Sequence, residues 1–172
     1  MKAQATNGRA AGKIIRCMLA ALLVAAAVLE GLPSRSQAAY AADGSLSDAT
    51  WEEVKGGIED LMGTPYVWGG STPETGFDCS GYVCWVYNQN GYNVGRTTAN
   101  GLWNKSQHIS EAEAKPGDLV FFEGTYDTPG KSHVGIYLGN GMMVSAGDPI
   151  KYANIHSSYW QKYLSGFGRL SK

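Results

Sequence analysis

The chain has 172 residues and a formal net charge of −1, a length suited to one ordinary domain without a separate binding module. Charge is unevenly spread. Five basic residues and a single acid, Glu30, fall in the first 42 positions, which leaves nine basic and fourteen acidic residues, a net of −5, on the remainder. That balance argues against a nucleic-acid partner, which requires a basic face.

The N-terminus reads as an export signal. A basic stretch ends at Arg16, and an apolar run, Cys17–Leu29, follows it. The run is short for a bilayer span. Gly31, Pro33 and Ser34 break it, and small residues flank cleavage points after Ala38 and Ala41. Residues 1–41 therefore read as a secretory signal peptide, with membrane contact only through that transient segment. The mature protein is expected to be secreted, free or held at the cell envelope. Residues 42–54 form a lead segment and the start of the first helix.

That helix is expected over Asp48–Met62. Thr50 and Glu53 have capping-box spacing, and Trp51, Val54, Ile58 and Leu61 recur at helical intervals. Gly63-Thr64-Pro65 ends it. A Gly-rich segment, Tyr66–Gly76, read as a loop with some extended chain, leads to a second helix over Cys79–Asn90, with Asp78 as N-cap and Gly91 as C′ residue. A short helix is expected near Thr98–Lys105. The rest reads as strand: Leu119–Phe122 after the Pro116-Gly117-Asp118 turn, Val134–Leu138, Met142–Ser145 and a last strand over Phe167–Leu170. Helices first and strands later imply an α+β fold, an antiparallel β-sheet packed against N-terminal helices.

Cys79 opens the second helix. Unpaired backbone N–H groups and the positive end of the dipole both favour a thiolate there, the nucleophilic form. Cys84 lies roughly 140° away around the same helix, which discourages a disulfide; it suits a small buried apolar role. A nucleophilic cysteine needs a base. His133 heads the apolar strand His133-Val-Gly-Ile-Tyr-Leu138, at a sheet rim where a ring can be held rigidly. His108 lies in a polar stretch that suits the surface, and His156 in a late loop. A third group should orient the base. A three-residue hairpin loop, Gly139-Asn140-Gly141, pairs Gly135 with Ser145 and puts Ser145 diagonal to His133. A two-residue loop, Asn140-Gly141, pairs His133 with Asp148 instead. Both loops are chemically reasonable. No Cys/His set has zinc-ligand spacing, so neither metal nor cofactor is expected.

Four segments together resemble the NlpC/P60 family: Gly63-Thr-Pro-Tyr-Val-Trp-Gly-Gly70, Phe77-Asp-Cys-Ser-Gly81, Pro116-Gly-Asp-Leu-Val-Phe-Phe122 and His133-Val-Gly-Ile-Tyr-Leu-Gly-Asn-Gly141. The resemblance implies a papain-like fold with residues 55–172 as the catalytic domain. It implies Cys79 as nucleophile, His133 as base and Tyr66 near the oxyanion or substrate. Asp78 and Ser80 are implied to meet the substrate's free amine, and Arg96-Thr-Thr-Ala99 to line the cleft, with Trp103 nearby. The sequence departs at the third polar position, twelve after His133, which is commonly histidine and here is Ser145. A serine accepts a hydrogen bond from the imidazole but brings no charge. The implied activity is a cysteine endopeptidase acting on peptidoglycan stem peptides, between D-glutamate and a diamino acid. A weak or inactive wall-binding module is one alternative; an acyltransferase or amidase on the same scaffold is another.

Overall fold

The structure is a computed structural model, described for residues 48–171. The secretory signal expected over 1–41 lies outside these residues, and the Thr50–Glu53 capping pair outside the described side chains.

The first helix, α1, covers Asp48–Glu59. It buries Val54 and Ile58 completely. The helix ends three residues short of the expected Met62, and tight turns carry the chain on to Gly63, whose positive φ of 81° stands at the expected stop. A two-strand ribbon follows, β1 (Ser71–Thr72) and β2 (Gly76–Phe77); it supplies the extended chain expected in the Gly-rich segment and runs one residue beyond it.

Helix α2, Cys79–Gln89, shows both predicted ends. The Asp78 side chain accepts from the Gly81 N–H. At the other end Gly91 has a φ of 80°. Tyr92 N–H bonds back to the Tyr87 carbonyl, and Gly91 N–H to that of Asn88. The Tyr87 and Tyr92 rings meet at 4.8 Å, the apolar contact that completes this type of helix stop. Helix α3 spans Ala99–Lys105 with Thr98 as N-cap.

Six further strands form one sheet: β3 (Gln107–Ile109), β4 (Leu119–Glu123), β5 (Lys131–Gly139), β6 (Met142–Ala146), β7 (Ile150–Asn154) and β8 (Leu164–Arg169). Their order is β3-β8-β4-β5-β6-β7, and each neighbouring pair is antiparallel. A short helix, α4 (Ser158–Tyr163), precedes β8. The α+β expectation is met. The sequence reading lacks β3, β7 and α4, all of six residues or fewer.

Strand alternation divides the apolar residues between two clusters. Leu119, Phe121, Val134, Ile136 and Val144 join Cys79, Val83 and Val86 in the core against the helices. Val120, Phe122, Tyr137, Met143 and Phe167 form a second cluster, with Trp160 packed on it.

The β5–β6 hairpin combines the two expected loop readings. Asn140 and Gly141 both have positive φ, 51° and 72°, the signature of a two-residue primed turn, and Gly139 pairs with Met142. The register then shifts, so that Tyr137 faces Met143 and Ile136 faces Val144. This is the register of the three-residue reading, reached through a bulge at Leu138.

Asp118 and Arg169 tie the start of β4 to the end of β8. Arg169 Nε donates to Asp118 Oδ1 at 2.8 Å, and Nη2 to Oδ2 at 2.7 Å. Side-chain exposures of 4% and 11% make this a buried pair. Asp118 Oδ2 also accepts the Lys115 N–H at 2.7 Å. Replacing Asp118 by Ala should cost about 3–5 kcal/mol, the usual penalty for breaking a buried pair from one side. Denaturant unfolding would measure it, and a loss of a few tenths of a kcal/mol would show that the pair does not hold the sheet.

Candidate active site

Cys79 is the first residue of α2 and is almost fully buried. Three backbone N–H groups bear on its sulfur, those of Val134, Ser80 and Cys79 itself, and each favours the anion. Burial outweighs them. With the Asp78 charge adding to it, burial pushes the thiol up to about 11. The thiolate expected from the helix end alone is therefore not the resting state. A helix terminus is visible in sequence; the apolar packing that opposes it is not.

The sulfur borders a cleft of about 240 Å³, which Tyr66, Asp78, Ser80, Arg96 and Tyr126 help to line. Tyr66 stands beside Cys79 because its segment pairs with the strand just before that residue: Tyr66 bridges Phe77, and Val67 N–H bonds to the Phe77 carbonyl at 3.0 Å. Burial, then the Cys79 and Asp78 charges, push its phenol up to about 12. Tyr66 thus remains a protonated donor across the physiological range.

Asp78 is fully engaged. Oδ1 accepts the Gly81 N–H at 2.6 Å and the Ser80 hydroxyl at 2.8 Å. Oδ2 accepts the Gly69 N–H at 3.0 Å and forms a short ion pair with Arg96 Nη2. Arg96 Nη1 donates in turn to Ser80 Oγ at 3.0 Å. Gly81 has no side chain for a steric reason: a Cβ there would run into the Gly70 carbonyl oxygen. The loop and the helix start therefore close directly on each other, backbone to backbone.

His133 reaches this region through its strand. Ser132, just before it, lines the cleft; the N–H of Val134, just after it, meets the sulfur. The imidazole itself is not among the groups lining the cleft. It stacks on Trp160 at 5.0 Å and 29°, with Phe122 at 5.8 Å. Nε2 is buried with no hydrogen-bond partner, and burial pushes the ring down to about 4.

Ser145 is buried and shares the face of Gly135, where an added Cβ would lie 3.3 Å from its own. Alternation puts His133 on that same face. The predicted register is thus present, but the hydrogen bond that Ser145 would accept from Nε2 is not made. Asp148 is exposed in the turn before β7.

Tyr66, Asp78, Cys79 and Ser80 are therefore gathered in one cleft, while His133 and Ser145 stand together on the adjoining strands. Trp103 is not in the cleft. It stacks on His108 at 3.6 Å, with Lys131 Nζ over its ring at 4.6 Å. His108 is exposed, as expected, and His156 bonds Glu111 at 2.8 Å after β7. Cys84 is a buried free thiol. Sequence reasoning missed Tyr126, which meets Trp68 edge-on at 5.3 Å over the cleft. It also missed the Arg96–Asp78 pair. Neither leaves a periodic signal; only the expectation that residues 96–99 border the cleft pointed toward Arg96.

Comparison with known proteins gives the family of the chain. The model of the NlpC/P60 family matches residues 63–169. A bifunctional muramidase/DL-endopeptidase, CwlT of Bacillus subtilis, is 50% identical over 135 residues, covering 72% of this chain and 41% of that protein. A probable endopeptidase p60 of Listeria monocytogenes is 52% identical over 110 residues, 63% of this chain and 22% of that one. The chain thus spans less than half the length of either relative. The crystal structure of a Staphylococcus aureus protein described as similar to lipoprotein, NLP/P60 family, has a TM-score of 0.72 at 38% identity, over 77% of this chain and 45% of that one.

The buried imidazole makes stability depend on pH. Its charged form is penalised in the fold, so its folded value near 4 lies below the ordinary value of about 6.5. The unfolded chain then binds the extra proton first. Stability is fully present above about 6.5 and should fall, by on the order of 3 kcal/mol, as pH drops through 4. Urea unfolding from pH 7 to pH 4 would show a shallower loss in His133→Asn; identical slopes would mean that another group governs the acid limb.

Proposed function

Because this chain belongs to the NlpC/P60 family, we propose that it is a cysteine endopeptidase that hydrolyses peptidoglycan stem peptides, at the bond between D-glutamate and the diamino acid. The observation that carries this reading is the position of Cys79: a sulfur at the first turn of α2, open to a cleft and pinned by the N–H beside His133. The DL-endopeptidase and endopeptidase names of the two relatives support the bond type.

With thiol and imidazole both neutral between about 4 and 11, no resting ion pair is needed. His133 takes the Cys79 proton as the sulfur attacks the peptide carbonyl. The oxyanion is met by the Cys79 N–H and the Tyr66 hydroxyl. The C–N bond breaks, and the proton on His133 passes to the leaving amine. Water, deprotonated by His133, then splits the thioester and restores the thiol. Ser145 stands where a partner for His133 is expected and contributes no charge. The secretory pattern in the sequence of residues 1–41 supports a reading in which this chemistry takes place at the cell envelope.

A second reading, a wall-binding module of low turnover, draws on one observation: Nε2 of His133 lacks the partner that would orient it. Purified walls and a defined L-Ala-γ-D-Glu-diamino acid peptide separate the two. Mass spectrometry should find cleavage at the D-Glu–diamino acid bond, and Cys79→Ala should lower the rate on the order of a thousandfold or more, as loss of a nucleophile does. Equal rates would reject Cys79 as nucleophile. Binding to walls without fragment release would favour the second reading, and products joined to an added amine would indicate transfer in place of hydrolysis.

A further inference from the structure

On the endopeptidase reading just given, His133 has to keep one orientation through two proton transfers. Its ring hangs on a torsion with broad, shallow preferences. In a triad a third polar group fixes that torsion by a hydrogen bond. That device is missing at His133: Nε2 is buried and bonded to nothing, although Ser145 stands on the same face. What the ring has instead is aromatic packing. Val134 faces the helical core, so alternation sends His133 to the other face of the sheet. There three rings close a triangle. Trp160 of α4 lies nearly parallel to the imidazole, at 29° and 5.0 Å between centroids. Phe122 of β4 leans on it at 52° and 5.8 Å, and the indole and the phenyl ring are 4.5 Å apart. Helix α4 is tied down by Gln161, whose Nε2 donates to the Ile155 carbonyl at 3.1 Å. No residue of α4 is fully buried, so the helix adds little to the core; what it does supply is the indole laid on His133.

A stacked ring holds the plane of its neighbour and leaves free the edge where both imidazole nitrogens lie. Its face also carries partial negative charge, which attracts a cation within about 6 Å of the centroid. The imidazolium formed when His133 takes the Cys79 proton is thus already seated on such a face. The neighbours Phe122, Ser145 and Trp160 carry no charge. The lysines of β5 and α4 are engaged elsewhere, Lys131 with Glu123 and Ser165 and Lys162 over the Tyr163 ring. Burial is the one cause acting on the titration of His133.

We propose that Trp160 is the positioning residue for His133: its indole fixes the plane of the imidazole and offers a π face to the transient imidazolium, the two roles that a polar third group would otherwise fill.

Steady-state cleavage by Trp160→Ala and Trp160→Phe tests this. Trp160→Ala should lower kcat on the order of tenfold to a hundredfold, part of what a general base supplies, with KM little changed. It should also raise the acid limb of kcat/KM from near 4 toward the ordinary histidine value of about 6.5. Trp160→Phe keeps a ring to stack and should recover most of the loss. An unchanged kcat, a loss carried by KM, an acid limb that stays low, or Trp160→Phe no better than Trp160→Ala each overturns the proposal. A measurement on the unmutated protein guards against a variant that does not fold. NMR titration of His133 Cε1–H should show protonation well below the ordinary value and the upfield displacement that an indole face imposes. Titration near the ordinary value, or a resonance without that displacement, overturns the proposal with no substitution made. The two failures stay distinct, because the NMR titration needs no turnover. No cleavage by the wild-type protein sinks the endopeptidase reading on which this inference rests, whereas cleavage by Trp160→Ala at the wild-type rate sinks this inference alone.

Discussion

The carboxylate of Asp78 is the point on which the candidate site hangs. As N-cap it fixes where α2 begins, and so places Cys79. Its second oxygen holds the Gly69 backbone and Arg96, which positions the loop carrying Tyr66 and Trp68 on one side and the segment before α3 on the other. A helix could start without this residue at a cost of about 1 kcal/mol. The cleft could not keep its shape, because three separate stretches of chain meet on one side chain. Gly81 completes the arrangement by letting the Gly70 carbonyl come down onto the helix.

The electrostatics follow from packing more than from local motif. A thiol at a helix start has donors around it, and those donors are present. The sulfur is nevertheless protonated at rest, because desolvation is the larger effect. The same burial leaves the imidazole neutral. The sulfur and the imidazole are thus both held neutral by burial, as thiol and free base. The missing partner at His133 Nε2 fits this economy: with no imidazolium at rest, no fixed anion is needed to balance it.

Much of this was legible in the chain itself, for identifiable reasons. Both ends of α2 depend on residues at its ends, Asp78 and Gly91, so local chemistry sufficed. The strands β4, β5 and β6 are apolar runs and declared themselves, as did the place of Cys79 at the start of α2 and of His133 on β5. What escaped depends on distant partners. β7 exists because it pairs with β6 and because Ile150 exchanges hydrogen bonds with Gly63 and Thr64. α4 matters through Trp160, which covers a ring 27 positions earlier. Arg96 and Asp78 are 18 residues apart, and neither advertises the other. The state of the sulfur escaped for the same reason, since the burial that sets it comes from residues far along the chain.

The bulge at Leu138 has an evolutionary corollary. The turn at Asn140-Gly141 and the bulged residue together set the parity of β6 relative to β5. Losing the bulge, or lengthening the turn by a single residue, would exchange the two faces of β6: Val144 and Ala146 would leave the helical core, and Met143 and Ser145 would enter it. Insertions and deletions in this hairpin are therefore tolerable in even steps and ruinous in odd ones. The stretch that looks most permissive, a glycine-rich surface tip, is among the least free to change length.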